Sequence, residues 1–226
     1  MIYTGIDAEG EWRSSAERPT DGGRPLQVLF AGRLEEQKDP HLMVDVVRAA
    51  TAAGVAMDVH VVGDGSLRAD VATRAAAAGL ADVVHFHGVS HDMRGWYDRA
   101  DVLLMTSVFE GIPYVIFEAM AMELPCIVPD VNANHELIDA DVGFLVERRD
   151  DVGAYVTALA ELDADRGRGR RLGRAARARV RERFPLERMA AEHAALYERL
   201  MAESPPSAGT GDDHGMALAS GRSRPC

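Results

Sequence analysis

From Pro25 to Val146 the chain alternates short apolar runs with longer stretches of helical spacing, and this alternation restricts the fold more than any other feature. The apolar runs are Leu26–Ala31, Met57–Val62, Val83–Phe86, Val102–Met105, Cys126–Val128 and Val142–Val146. Each has strand length and closes on small or polar residues. The helical stretches are His41–Ala53, an Ala-rich segment ending at Ala78, His91–Arg99, Ile112–Leu124 and a short piece at Asn134–Ile138. Three more helices follow at Val152–Leu162, Arg168–Phe184 and Leu186–Met201. Strands separated by helices predict a doubly wound, Rossmann-like α/β domain. It has six parallel strands, right-handed crossovers and helices on both faces. Residues 25–201 make up this domain. Residues 1–24 read as a polar linker, and residues 202–226, rich in Ser, Pro and Gly, are expected to be disordered.

In such a sheet the ligand lies at the carboxyl ends of the strands, so the turns there carry the functional reading. Ser107–Pro125 is the most informative. Gly111 and Pro113 flank Ile112 in a tight turn, with Pro113 suited to the first position of a helix. That helix is apolar almost all round and should be buried, yet it carries Glu118. A buried carboxylate without a partner costs several kcal/mol, roughly. Glu110, eight residues earlier, is expected to be exposed in the turn. Gly32, Arg33 and Lys38 follow the first strand, and a forked cation with a mobile one suits a diphosphate. Gly63 and Gly65 follow the second strand. Arg68 stands where a dinucleotide fingerprint needs a third glycine, which argues against a nicotinamide or flavin. These glycines are expected to let the backbone approach a ligand. His87 and Gly88, after the third strand, could hold a base ring. His85 and His87 share one strand face, but no cysteine or carboxylate completes a metal set. The sequence lacks a nucleophile elbow and a Walker loop, and Cys126 reads as an inert core residue. The remaining chemistry suits a sugar nucleotide. Glu118 would accept from ribose hydroxyls, Arg33 and Lys38 hold the diphosphate, and Glu110 meets the sugar. The competing reading of Glu118 is a buried ion pair.

Composition removes several other classes. A formal net charge of −11 over 226 residues argues against nucleic acid, which needs clustered cations. Nine arginines lie between Arg166 and Arg183, at helical spacing among alanines, and read as a solvated helix face. Contact with a phosphate, a membrane surface or a partner is the alternative. Two cysteines, Cys126 and Cys226, suit a reducing cytosol. No apolar run approaches the roughly 20 residues of a membrane span. The expected location is cytoplasmic, with the inner membrane face left open.

The motifs resemble the C-terminal domain of retaining family 4 glycosyltransferases, enzymes of the two-domain GT-B fold. The most specific element is Glu110-Gly-Ile-Pro-Tyr-Val-Ile-Phe-Glu118-Ala-Met-Ala. Gly32-Arg33…Lys38, Val61-Val-Gly-Asp-Gly65, Phe86-His-Gly88 and Gly143-Phe-Leu-Val146 support it, and Glu136 falls at a further glutamate of the family. The resemblance implies a single GT-B half that binds a UDP- or GDP-sugar without a metal or other cofactor. Arg33 and Lys38 would stabilise the leaving diphosphate and Glu118 would hold the ribose. Glu110 and the Gly111 backbone would orient the sugar. Front-face attack would need no protein nucleophile. Two positions depart from the pattern. Glu123 stands where the family has glycine, and Asn132-Ala-Asn stands near a Gly-Gly pair; Asn tolerates the left-handed conformation. The family's N-terminal acceptor domain is not recognisable, and Ile2–Asp7 resembles the interdomain crossing. The expectation is therefore a truncated or split enzyme, weak or inactive alone, whose Leu186–Met201 helix leaves apolar surface exposed. A non-catalytic nucleotide-sugar sensor or scaffold, and a GT-B-fold sugar-nucleotide epimerase fragment, are the alternatives.

Overall fold

A computed structural model describes residues 3–14, 23–111 and 113–203. Residues 1–2, with Ile2 of the expected interdomain crossing, residues 15–22 of the linker, Ile112 and residues 204–226 of the tail lie outside the described residues. The strands are β1 (Leu26–Ala31), β2 (Met57–Val62), β3 (Val84–Gly88), β4 (Val102–Leu104), β5 (Cys126–Pro129) and β6 (Gly143–Val146). They form one parallel sheet in the order β3-β2-β1-β4-β5-β6. The helices are α1 (Pro40–Ala52), α2 (Arg68–Ala77), α3 (Met93–Arg99), α4 (Tyr114–Ala121), α5 (Asn134–Leu137), α6 (Val152–Ala164), α7 (Arg166–Arg183) and α8 (Leu186–Glu203). This is the expected Rossmann-like architecture. Most element ends fall within a few residues of the sequence reading.

Strand alternation divides the interior into two cores. Val28 and Phe30 of β1, Val59 and Val61 of β2, and Val102 and Leu104 of β4 pack with α1 and α6. Leu29, Leu103, Cys126 and Val128 point the other way, against α4, α7 and the N-terminal residues Ile6 and Ala8. Over β2 and β3 the second face turns polar, because Asp58, His60, His85 and His87 occupy the positions that alternate with the first core. Burial pushes the Cys126 thiol up, as an inert core cysteine requires.

The order puts β1 beside β4, although the two are far apart in sequence. The turns that follow these strands therefore meet at the carboxyl edge. The turns after β1 and β2 also abut. Gly63 has φ +142, and a β-carbon there would lie 1.9 Å from the Gly32 carbonyl oxygen. One at Gly65 would lie 2.4 Å from that of Leu34. The close approach made by both glycines is thus to the neighbouring turn of the chain itself.

Two readings change. Helix α4 begins after Pro113, which occupies the N-cap position, and ends at Ala121. Glu123 is left-handed at φ 58 and turns the chain towards β5, where the sequence reading had continued the helix to Leu124. The arginine-rich helix is also not simply a solvated face. Arg166 is buried and pairs with Asp101 and Asp163 at 3.0 and 2.8 Å. Arg177 donates to the carbonyls of Ala121 and Ala8 at 2.8 and 2.7 Å, and Arg179 pairs with Asp139 at 2.9 Å. These guanidiniums reach main-chain carbonyls and carboxylates on other elements, which periodicity alone does not reveal.

Candidate functional site

The turn after β1 and the turn after β4 are joined into one unit. A single 3-10 turn, Glu36–Lys38, leads into Asp39, which is left-handed at φ 44 and caps α1 by accepting from the Leu42 amide. Arg149, ahead of α6, pairs with the same carboxylate at 2.5 Å. Thr106, fully buried at the end of β4, donates from Oγ1 to the carbonyls of Lys38 and Asp39 at 2.9 and 2.8 Å. The Val108 amide donates to the Gln37 carbonyl at 2.8 Å. These contacts set Lys38 where its Nζ meets Glu110 Oε1 at 2.6 Å. The main-chain N–H of Glu110 donates to Asn132 Oδ1 at 3.1 Å. Asn132 is itself left-handed at φ 53, the conformation the sequence allowed it. A β-carbon on Gly32 would press on the Lys38 side chain at 3.2 Å, so this glycine leaves room for the lysine.

The two carboxylates are the reverse of the sequence reading. Glu110 is the buried one, at 6% exposure, because Lys38 and Asn132 fold the turn inwards. Glu118 is half-buried. It accepts from Tyr97 Oη at 2.7 Å, and no cation among the described residues pairs with it. Burial lifts the Glu118 carboxyl above its ordinary range, against the Tyr97 hydrogen bond, and the charge of Glu11 adds to the rise. Burial likewise raises the Tyr97 phenol well above its ordinary value. The ion-pair reading of Glu118 is replaced by a neutral donor on one side only.

Arg33 is exposed and donates from Nη2 to Gln37 Oε1 at 3.0 Å. Arg33, Lys38, Gly32 and Glu110 are thus brought together, with Gly63 and Gly65 packed behind them. The Gly63 amide donates to the Gly88 carbonyl at 2.8 Å, which ties in the end of β3. Gly111 is exposed and Pro113 buried on either side of Ile112, itself outside the described residues. Glu118 belongs to a second cluster, with Tyr97. Among the described residues no hydrogen bond joins it to the Lys38–Glu110 pair.

His87 lies in a third group. His60 Nδ1 and His87 Nε2 stand 3.1 Å apart, and His60 Nε2 is 2.9 Å from Gln27 Oε1. The Trp96 ring lies 4.3 Å from that of His87, with Arg99 above it at 4.6 Å. Burial first, and then neighbouring positive charge, lowers the pKa of both His60 and His87. Among the described residues no three His, Cys, Asp or Glu side chains gather as metal ligands.

Gln37, Thr106, Asp39, Asn132 and Tyr97 escaped the sequence reading of the site. A signal existed for Gln37, four residues after Arg33 and adjacent to Lys38. Asp39, directly before Pro40, also carried a helix-cap signal, and Asn132 was marked by its tolerance of the left-handed conformation. None existed for Thr106 and Tyr97, whose partners lie 21 to 68 residues away.

Comparison with known proteins identifies the family and the fold. The chain is 30% identical over 152 residues to WcaL of Escherichia coli (strain K12), a protein assigned as a colanic acid biosynthesis glycosyltransferase. The match covers 62% of this chain and 37% of WcaL. It is 32% identical over 182 residues to the lipopolysaccharide core biosynthesis mannosyltransferase LpsB of Rhizobium meliloti (strain 1021), covering 75% of this chain and 50% of that protein. The chain thus spans half or less of the length of these relatives. A crystal structure of a variant of S. aureus TarM, in complex with Fondaparinux, alpha-GlcNAc-glycerol and UDP, superposes with a TM-score of 0.78. At 18% identity, over 87% of this chain and 38% of TarM, that likeness establishes the fold, which is that of a GT-B glycosyltransferase domain. The family profile described as Glycosyl transferases group 1 matches residues 25–165. With its Rossmann-like sheet and the cation–carboxylate turns at its carboxyl edge, the chain belongs to the group 1 glycosyl transferase family.

Proposed function

We propose that this domain is the donor-binding half of a retaining, family 4 glycosyltransferase and takes a UDP- or GDP-sugar. The observation that carries the reading is the Lys38–Glu110 pair on two interlocked turns, with Arg33 exposed beside it. A diphosphate matches Arg33 and Lys38 in charge and geometry. On binding, it takes the place of Glu110 as the counterion of Lys38, and Glu110 turns to the sugar hydroxyls. Glu118 supplies a carboxylate with an oxygen to spare for ribose hydroxyls. The UDP bound in the TarM complex supports this ligand class.

In the transfer step the bond from the anomeric carbon to the phosphate oxygen breaks, and its electron pair goes to the diphosphate. The acceptor hydroxyl bonds to that carbon on the same face, and its proton passes to the departing oxygen. Arg33 and Lys38 stabilise the charge that develops there, commonly the largest catalytic contribution of such a site. The acceptor would be held by a further domain, as the partial coverage of the relatives suggests. Residues 1–24 would link the two.

Calorimetric titration with UDP and GDP tests the reading. Binding should weaken at least about tenfold in Glu118→Ala, from loss of charge-assisted hydrogen bonds. It should strengthen severalfold in Glu110→Gln, because Lys38 is released from its internal counterion. Absence of binding in the unmodified chain, or binding unchanged in both variants, overturns it. Sugar transfer by these 226 residues alone would overturn the need for a second domain.

A further inference from the structure

We propose that Gln37, itself held by the turn that carries Glu110, is a positioning residue that aims Arg33 at the diphosphate, an inference that rests on the donor-site reading above. The side chain is engaged at both ends. Oε1 accepts from Arg33 Nη2 at 3.0 Å, and Nε2 donates to the Phe109 carbonyl at 3.1 Å. Its own carbonyl accepts from the Val108 amide. The amide orientation follows from the partners, since a guanidinium only donates and a carbonyl only accepts.

A neutral acceptor is what this position requires. Lys38 already has a carboxylate against it. Glu35, whose pKa is lowered chiefly by the Ser66 amide and only lastly by Arg33, is held on the Ser66 amide and hydroxyl at 2.8 and 2.7 Å. Arg33 is therefore steered by an amide that leaves its positive charge uncancelled. A carboxylate at position 37 would neutralise it and would face the Phe109 carbonyl with like partial charge. An apolar side chain would free Arg33 to the many rotamers of an exposed arginine. Gln37 acts through Arg33 and does not itself touch the donor.

The test is a double-mutant cycle on the full chain, titrated calorimetrically with UDP and GDP, with a urea unfolding curve for every variant. Gln37→Leu should weaken nucleoside diphosphate binding about three- to tenfold, the worth of one lost orienting hydrogen bond. In an Arg33→Ala background the same change should have no further effect, because its route of action is gone. Gln37→Glu, close to isosteric, should weaken binding as far as Arg33→Ala does. A full repeat of the Gln37→Leu loss in the Arg33→Ala background would make Gln37 a merely structural tie and overturn the proposal. So would Gln37→Glu binding like the unmodified protein. Failure of the unmodified chain to bind either nucleotide overturns the donor-site reading instead, and this inference with it.

Discussion

Glu118 shows how burial sets a single charged residue against folding. Its carboxylate is half-buried, with Tyr97 as a neutral donor and Glu11 near enough to disfavour its charge. Burial raises its pKa, so between the unfolded and folded values the native state holds the proton more tightly. Stability from this group is present at acid pH and is lost as pH rises through the folded pKa. At neutral pH the ionised side chain therefore works against folding. Glu118→Gln keeps an acceptor for Tyr97 and removes the charge. It should stabilise the ligand-free protein at pH 7 by a few tenths to about 1 kcal/mol, after discounting for solvent. It should also flatten the stability profile across that window and weaken UDP or GDP binding. Urea midpoints measured from pH 4.5 to 7.5 check the first part; a variant no more stable than the unmodified protein at pH 7 contradicts it. The sequence showed this residue as a carboxylate in an apolar helix, which α4 is. It did not show that Glu110 would be the more buried of the two, since that depends on Lys38, 72 residues away.

The packing of α7 against the end of α4 includes a close approach that only glycine allows. A β-carbon on Gly173 of α7 would lie 1.9 Å from the Glu123 carbonyl oxygen, where the chain leaves α4 in a left-handed conformation. Two effects compete in Gly173→Ala. Helix propensity favours alanine by about 1 kcal/mol. Overpacking against a backbone atom costs about 1–3 kcal/mol, and this contact is close enough for the upper end. A net loss of about 1–2 kcal/mol is expected in a urea denaturation curve. An unchanged or raised midpoint would mean that the two helices separate freely. The Ala-rich, Arg-rich sequence of α7 disclosed a helix and nothing of this seam, because its glycine and its inward arginines answer to residues on other elements.

At the scale of the whole molecule, α8 stands apart. It has no buried residue, and Tyr197, Leu200 and Met201 are 61%, 49% and 78% exposed. The expected apolar surface is present. Since these side chains are already largely exposed and gain little further exposure on unfolding, Tyr197→Glu with Leu200→Glu should change stability by less than about 0.5 kcal/mol in either direction. A loss above about 1 kcal/mol in urea unfolding would show that the helix packs in solution.

Across the molecule, what could be read from the sequence is what depends on near neighbours. Six apolar runs with helices between them determined the sheet, its parallel sense and the edge at which a ligand would lie, because periodicity and turn chemistry act within a few residues. The same locality singled out Arg33, Lys38, Glu110 and Glu118. Tertiary structure decided the rest. Placing β1 against β4 brought the Gln37–Lys38 turn onto Val108–Glu110, which buried Glu110 and gave Gln37 its Phe109 partner. Those contacts join residues far apart in the chain. They exist only once the strands have found their order, so no local pattern could have shown them.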